Sequence, residues 1–599
     1  MLPKPARAAA PLSAPVLRNC RRFWEEEEGW FFIREALGID ADHSTESSIY
    51  SRKKRIIDWA KAVIQAVGCF SPSCLLSIFI FMRKYPIGIQ DFRELRLGDY
   101  LYIDKTAVIF KLLEQGKYYF LSRPRRFGKS LLLSTLKYLF LGKKELFAGL
   151  WIEHKHNWQE HPVIHLSFSS IGYKDLGLDI AIDLEINRFA SQFDVQLEEK
   201  GIARKFRELI EKIFHKKGQV VLLIDEYDKP LVDYIDRPEE AEQNREILKI
   251  FYSVLKDADP HLRFFLITGV SKFSKVSLFS DLNNLDDLTL VPTFGSIAGY
   301  TQEEIDQYFQ EDLKTLSEQE GTSIQDMRNR IKDWYNGYSW GNDERIYNPF
   351  SVLSLFRHKR IANYWWETGT PTFLVKKLRE AYYFDLNEME AGKVLFESFT
   401  LDNMNLISLL FQTGYLTIKS YSPEERLYLL DYPNLEVKDT MQQHLLGAFR
   451  HTHQVESLPL LVKIKRALEK EDLDRFIELI DLLFSTIPHQ IFLQKQEAFF
   501  HAILHLSFSG IGMIVQSEVS TSKGRVDSVV HTKNHIYVME FKLDASADSV
   551  LAQIRDKRYG SPFLNQEKEV IALGINFSSA NKSVEEWRSV SYESLLVEG

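Results

Sequence analysis

Cysteine is nearly absent from this chain of 599 residues. There are three, Cys20, Cys69 and Cys74, and none follows Met82. Without C-x-x-C spacing they build neither a disulfide framework nor a zinc site, and a cysteine-free body suits a reducing compartment, so a cytoplasmic location is expected. Long apolar runs are also missing. The run Leu75 to Phe81 is too short to span a bilayer, is preceded by Pro72 between serines, and lies too far from Met1 for a signal peptide, so no stable membrane insertion is expected. Positive charge is not in excess either: a net charge of −8 argues against a broad basic surface for nucleic acid, so any such reading must rest on a local site. Internal repeats and low-complexity linkers are lacking, which predicts packed rather than tethered domains. The length implies two or three of them.

What is present begins with Ser122-Arg123-Pro124-Arg125-Arg126-Phe127-Gly128-Lys129-Ser130, between the apolar runs Tyr118-Tyr119-Phe120-Leu121 and Leu131-Leu132-Leu133. A strand-to-helix junction of this kind converges unpaired backbone N–H groups that attract phosphate. In a phosphate loop the lysine reaches the β- and γ-phosphates and the serine hydroxyl ligates Mg²⁺, which assigns Gly128, Lys129 and Ser130 to nucleotide binding. Arg123 stands where such a loop usually has its first glycine, so the match is partial and a basic helix-capping loop is the competing reading. Arg125 and Arg126 are close enough to act on phosphate in cis. An arginine supplied in trans by a homo-oligomer is the alternative.

A second run, Val220-Val221-Leu222-Leu223-Ile224-Asp225-Glu226, reads as a buried parallel strand with carboxylates at its C-terminal edge, where an open α/β sheet places ligands. Asp225 would hold the Mg²⁺ shell and Glu226 orient the attacking water. The strand Arg263 to Gly269 puts Thr268 where a γ-phosphate sensor would stand, with a plain strand-end cap as its bland reading. Loop, acidic strand and sensor strand come in the order of an ATPase core.

Near the C-terminus, Gly524-Arg525-Val526-Asp527-Ser528-Val529-Val530 and His535-Ile536-Tyr537-Val538-Met539-Glu540-Phe541-Lys542 read as a hairpin bringing Asp527 to Glu540 and Lys542, the latter two on one strand face. Asp527 and Glu540 are candidate Mg²⁺ ligands and Lys542 would stabilise a hydroxide attacking a phosphodiester. Glu497, on a helical segment Gln494 to Ser507, would complete the site. Gln553 and Lys557-Arg558-Tyr559 are placed on a following helix. The spacing alone is weak, since charged residues on exposed strands are common.

Strands alternating with helices as far as about Tyr300 predict a three-layer α/β sheet. Helices follow, opening with the capping box Thr301-Gln302-Glu303-Glu304 and reading as a lid over nucleotide. A hairpin is expected between Tyr415 and Pro433, and a small α/β unit after about Gln494. His501 and His505 lack the glutamate of a zinc-protease helix, the clusters Trp334-Tyr335 and Tyr364-Trp365-Trp366 read as packing rather than base stacking, and Asn283-Asn284-Leu285-Asp286-Asp287 reads as a solvated loop.

Together with Tyr85-Pro86-Ile87-Gly88-Ile89-Gln90-Asp91-Phe92, Tyr102-Ile103-Asp104-Lys105-Thr106, Trp334-Tyr335-Asn336-Gly337-Tyr338, Tyr347-Asn348-Pro349-Phe350-Ser351 and Tyr364-Trp365-Trp366-Glu367-Thr368-Gly369, these motifs resemble the AAA-ATPase-like proteins that carry a C-terminal nuclease-like domain of the PD-(D/E)XK superfamily. The resemblance implies a P-loop NTPase sheet (82–299), a helical middle region (300–485) and a restriction-endonuclease-like α/β domain (486–599), with ATP and Mg²⁺ as cofactors. Lys129, Ser130, Asp225 and Glu226 match its ATPase motifs; Glu497, Asp527, Glu540 and Lys542 match its nuclease core. Because the resemblance starts at Met82, residues 1–81 are expected to be an extension from an upstream reading frame, with an interaction or membrane-contact segment as the rival reading. Two function classes follow. One is an ATP-regulated nuclease acting on DNA or RNA; the other is an ATP-dependent switch or scaffold that binds nucleic acid or a partner without cleavage.

Overall fold

The four longer apolar runs of the N-terminal half become strands: β1 (Tyr118–Ser122), β2 (Val163–Ser167), β3 (Val220–Asp225) and β4 (Leu262–Gly269). The computed structural model describes residues 84–597 apart from 273–278, 280–283, 342–343, 366–371, 382–385, 393–404, 451–457, 486–495, 510–513, 522–523 and 582. With the two-residue β5 (Asp286–Asp287) the strands form a parallel sheet in the order β2-β3-β4-β1-β5. Every residue of β1 and β3 is buried, as continuous apolar runs covered on both faces require. The covering helices are α1 (Thr106–Gln115), α2 (Lys129–Phe140), α3 (Leu178–Phe193), α4 (Ile202–Lys217) and α5 (Pro238–Ser253). Because β4 lies between β1 and β3, Leu121 pairs with Thr268 and Ile224 with Ile267, which brings the phosphate-loop, sensor and acidic strand ends side by side.

The acidic segment expected to be a solvated loop is partly sheet. Asp286 and Asp287 pair with Tyr119 and Phe120 at the open edge of β1. The Asp287 carboxylate accepts the Thr289 N–H and pairs with Lys272 at 3.0 Å. Backbone pairing to an edge strand needs no side-chain pattern, so charged composition hid it. Asn283 lies outside the described residues.

The middle region opens with the expected capping box, Thr301 and Glu304 capping each other at the start of α6 (Gln302–Tyr308). It continues with α7 (Gln310–Glu320), α8 (Ile324–Tyr335), α9 (Pro349–His358), α10 (Thr372–Glu380) and α11 (Leu406–Thr413). The expected hairpin is β7 (Thr417–Ser422) with β8 (Leu427–Asp431), but a third strand, β6 (Met389–Gly392), joins it in the order β6-β8-β7. Then come α12 (Leu435–Arg450), α13 (Leu458–Glu469) and α14 (Leu473–Ser485). Gly337 has φ +127°, and a Cβ there would lie 1.9 Å from the Pro433 carbonyl oxygen. Only glycine lets these two chain segments approach so closely.

The C-terminal unit is α15 (Gln496–Ser509), β9 (Ile514–Thr521), β10 (Gly524–His531), β11 (His535–Leu543), α16 (Ala547–Asp556), β12 (Glu569–Phe577), β13 (Val584–Ser591) and α17 (Tyr592–Val597). Its sheet runs β13-β12-β11-β10-β9, antiparallel except for the β11–β12 pair, whose crossover is α16. The unit is docked on the helices before it. Tyr537 donates its hydroxyl to the Leu468 carbonyl at 2.8 Å, and the Val584 N–H donates to Asp481 at 2.6 Å. One buried apolar cluster runs from β1–β4 through α11–α15 into β10–β12, while a second joins α6–α9 to residues between Tyr85 and Ile103. Among the described residues no helix is long and apolar enough to cross a membrane. Residues 1–81 lie outside the described residues.

Candidate functional site

At the end of β1 the chain turns through Arg126 (φ +67°) and Gly128 (φ +87°) into α2, so both backbones occupy the left-handed region that glycine tolerates and arginine does not favour. Lys129 is buried at the first position of α2 and donates its ammonium to the Arg123 and Pro124 carbonyls at 2.9 and 3.0 Å. Burial pulls its pKa down against the opposing pull of Asp225, Asp228 and Glu226.

Arg123 explains the missing first glycine. Fully buried, its guanidinium donates to the Ser122, Thr289 and Phe294 carbonyls at 2.9, 3.0 and 3.1 Å and lies 4.1 Å above the Trp340 ring. Phe127 packs edge-on against Tyr338 and Trp340. The loop is therefore bolted to β5's outlet and to the middle region by the residues a flexible glycine would lack. Arg125 is exposed, whereas the Arg126 guanidinium sits 3.6 Å over the Phe350 ring. The Trp365 indole N–H donates to the Arg125 carbonyl at 3.3 Å.

Beside the loop, Asp225 ends β3 and accepts the Thr268 hydroxyl at 2.7 Å. Thr268 is fully buried and faces Asp225, which makes its hydroxyl an orienting partner for that carboxylate. Glu226 follows at φ +54°, and burial together with the charge of Asp225 raises its pKa. An acid that sequence reasoning passed over, Asp228, is 2% exposed and accepts the Val270 N–H, the Ser271 N–H and the Ser271 hydroxyl, clamping the end of β4. Its signal was there: a third acid in Asp225-Glu226-Tyr227-Asp228.

A cavity of about 730 Å³ opens on this arrangement. Its polar wall includes Arg125, Arg126, Gly128, Lys129, Ser130, Glu226 and Asp228, and its apolar wall includes Ile87, Tyr300 and Phe350. Asp225 and Thr268 are not among its walls. Lys129, whose ammonium is held among the described residues by loop carbonyls and faces carboxylates at the strand ends, fits a nucleoside triphosphate with a divalent cation: phosphate oxygens would replace the carbonyls, and Ser130 with the β3 acids would supply hard oxygen donors.

The second polar cluster lies on the C-terminal sheet. Glu540, 1% exposed on β11, accepts the Gln553 side-chain amide from α16 and the Asp527 backbone N–H, the latter at 3.3 Å. Asp527 on β10 accepts the Phe541 N–H at 2.8 Å, and the Lys542 ammonium stands 3.8 Å from Glu540. Tyr559 completes the cluster, its pKa raised by burial and by the charges of Glu540 and Asp527 while Gln553 bonds its hydroxyl. Lys557, Arg558 and Tyr559 are not helical as expected: α16 ends at Asp556 and Arg558 turns the chain at φ +54°. That turn carries Tyr559 back to Gln553. Glu497 is on α15, and its side chain lies outside the described residues. Two convergent carboxylates with a lysine fit a hard cation, although among the described residues no group of three His, Cys, Asp or Glu assembles.

Tyr335 and Trp365 are buried, and the Tyr335 hydroxyl donates to the Ala362 carbonyl. His505 is buried. Trp366 and the His501 side chain lie outside the described residues.

Residues 86–279 match the family model described as "Predicted AAA-ATPase". Residues 495–587 match that of the PD-(D/E)XK nuclease superfamily. The chain is 38% identical over 530 residues to an "Uncharacterized protein in vnfD 5'region" of Azotobacter chroococcum mcd 1, covering 84% of this chain and 98% of that protein.

Proposed function

Since this chain belongs to the family of predicted AAA-ATPases that carry a C-terminal PD-(D/E)XK nuclease-superfamily domain, we propose that it is an ATP-binding hydrolase that regulates Mg²⁺-dependent cleavage of DNA or RNA phosphodiesters. The observation that carries this reading is the convergence of Asp527, Glu540, Lys542 and Gln553 on one face of the C-terminal sheet. A nuclease-like unit kept only for docking has no need of two carboxylates and a lysine within reach of one another.

At the phosphate loop, Lys129 would exchange the Arg123 and Pro124 carbonyls for β- and γ-phosphate oxygens. Ser130 and Asp225 would hold magnesium, and Thr268 keeps Asp225 in place. Glu226, with its raised pKa, is suited to orient water and accept its proton as a stronger base than an ordinary glutamate. Exposed Arg125 is the arginine best placed to meet phosphate charge in cis, because Arg126 is committed to Phe350.

At the second site Asp527 and Glu540 would hold magnesium, and Lys542 would stabilise the attacking hydroxide. The bound ion, at either site, neutralises phosphate charge and lowers the pKa of water. Gln553 orients the Glu540 carboxylate. The subcellular location expected is cytoplasmic, and a homo-oligomer supplying arginine in trans is tested by the protein-concentration dependence of turnover.

The deciding experiment is Mg²⁺-dependent cleavage of single- and double-stranded DNA and RNA by wild type, Asp527→Ala and Lys129→Ala, each with and without ATP. Cleavage lost in Asp527→Ala and no longer responsive to ATP in Lys129→Ala is the expected outcome. Cleavage unchanged by Asp527→Ala removes this active site, and no cleavage of any polymer selects the ATP-dependent switch or scaffold.

A further inference from the structure

Glu436 is a carboxylate with almost no access to water, 1% exposed in the first turn of α12. One oxygen accepts the Tyr364 and Trp365 backbone N–H groups at 2.6 and 2.9 Å; the other accepts the Ser351 hydroxyl at 2.8 Å. Burial outweighs these donors and pushes its pKa up to about 7. Such a group is costly to keep in a core unless its geometry is needed. What it holds is the stretch whose Trp365 indole donates to the Arg125 carbonyl of the phosphate loop. The helix it begins, α12, packs on α15, and α15 packs on β9 and β11 of the C-terminal sheet.

We propose that Glu436 is a positioning residue that couples the state of the phosphate loop to the C-terminal sheet, through Trp365 on one side and α12 and α15 on the other. Phosphate taking the place of the Arg123 and Pro124 carbonyls on Lys129 changes the loop backbone that includes the Arg125 carbonyl. Trp365 follows that carbonyl, Glu436 follows the Tyr364–Trp365 backbone, and a sixteen-residue helix moves as a rigid body. The coupling rests only on the nucleotide-binding half of the function proposed above.

Hydrogen exchange of the full chain, with and without a non-hydrolysable ATP analogue and Mg²⁺, reads this coupling directly. In wild type the analogue is expected to change exchange in α12 and α15 by about threefold or more, and Glu436→Gln is expected to keep the response. The amide oxygen still accepts both N–H groups, and its NH₂ can donate to the Ser351 oxygen. Glu436→Ala and Trp365→Phe should bind the analogue and lose the response in both helices. Trp365→Phe keeps an aromatic ring against Tyr338 and Tyr415 while removing the indole N–H with three ring atoms, so it stands if Glu436→Ala does not fold. The proposal is overturned if Trp365→Phe responds as wild type does, if it no longer binds the analogue, or if bound wild type shows no change in α12 and α15. Failure of wild type to bind the analogue overturns the ATP reading and this coupling together. Coupling without cleavage of any polymer overturns only the nuclease half.

Discussion

Arg123 stands where phosphate loops usually turn on glycine, and its guanidinium donates to three carbonyls and lies over an indole face. Flexibility at the start of the loop has been replaced by a buried anchor, and the left-handed turn falls instead at Arg126 and Gly128. Glu226 sits across from it with its pKa raised by burial and by Asp225. Protonated Glu226 cannot accept a proton from water. The acid limb of the ATP-turnover profile is therefore expected at higher pH than an ordinary glutamate would give. Glu226→Gln should lower turnover by about 10²-fold or more with ATP affinity within a few-fold of wild type, checked by phosphate release and by equilibrium binding. Equal loss of binding and turnover would show that the residue serves affinity. Asp225 and Glu226 were legible in the sequence because they end a continuous apolar run, and Lys129 because it stands with Gly128 and Ser130 between an apolar strand and an apolar helix; the partners of Asp228 and Glu436 were not, since they lie 42 to 85 residues away.

Elements with a strong internal pattern appear where periodicity puts them, and elements completed by a partner do not. The capping box at Thr301 and the hairpin of β7 and β8 carry local signals. Strands β5 and β6 add backbone pairing to a neighbour's open edge, and β9 is too polar in Ser517-Glu518-Val519-Ser520-Thr521 to announce itself. The junction between α8 and the hairpin sheet turns on Gly337. Replacing it by alanine sets a Cβ 1.9 Å from the Pro433 carbonyl at φ +127°. Gly337→Ala is expected to lower the unfolding free energy by more than about 2 kcal/mol, against about 1 kcal/mol for Gly321→Ala, whose φ of +64° lies in the left-handed helical well and which has open space around it. Urea unfolding of the two variants, each compared with wild type, checks the contrast. Equal costs would mean that the Pro433 contact relaxes freely.

At the scale of the whole molecule, the buried cluster passes from the parallel sheet through the middle helices into the C-terminal sheet. Tyr537 and Asp481 add hydrogen bonds across the last junction. Separate unfolding of the C-terminal unit would expose that shared apolar surface. Calorimetry of the chain from residue 84 onward is accordingly expected to show one cooperative transition, raised by ATP with Mg²⁺ and not raised in Lys129→Ala. Two resolved transitions, only one of them shifted by nucleotide, would show that the sheets are energetically independent.

The sequence by itself determined the two chemistries on offer: a Gly-Lys-Ser turn between strand and helix, two acids at the end of an apolar strand, and an Asp, Glu and Lys set on adjacent strands. These signals are short-range, written in residues that are neighbours in the chain or across one turn. Tertiary structure alone decided what surrounds them. It buried Arg123 on Trp340, turned Thr268 toward Asp225, brought Gln553 to Glu540, and tied Glu436 to the backbone that touches the phosphate loop. Burial and hydrogen bonding between distant segments depend on which segments pack together, and no local spacing encodes that. The phosphate loop's missing glycine is the clearest case: chemically a departure when read along the chain, and an anchor once the fold closes around it.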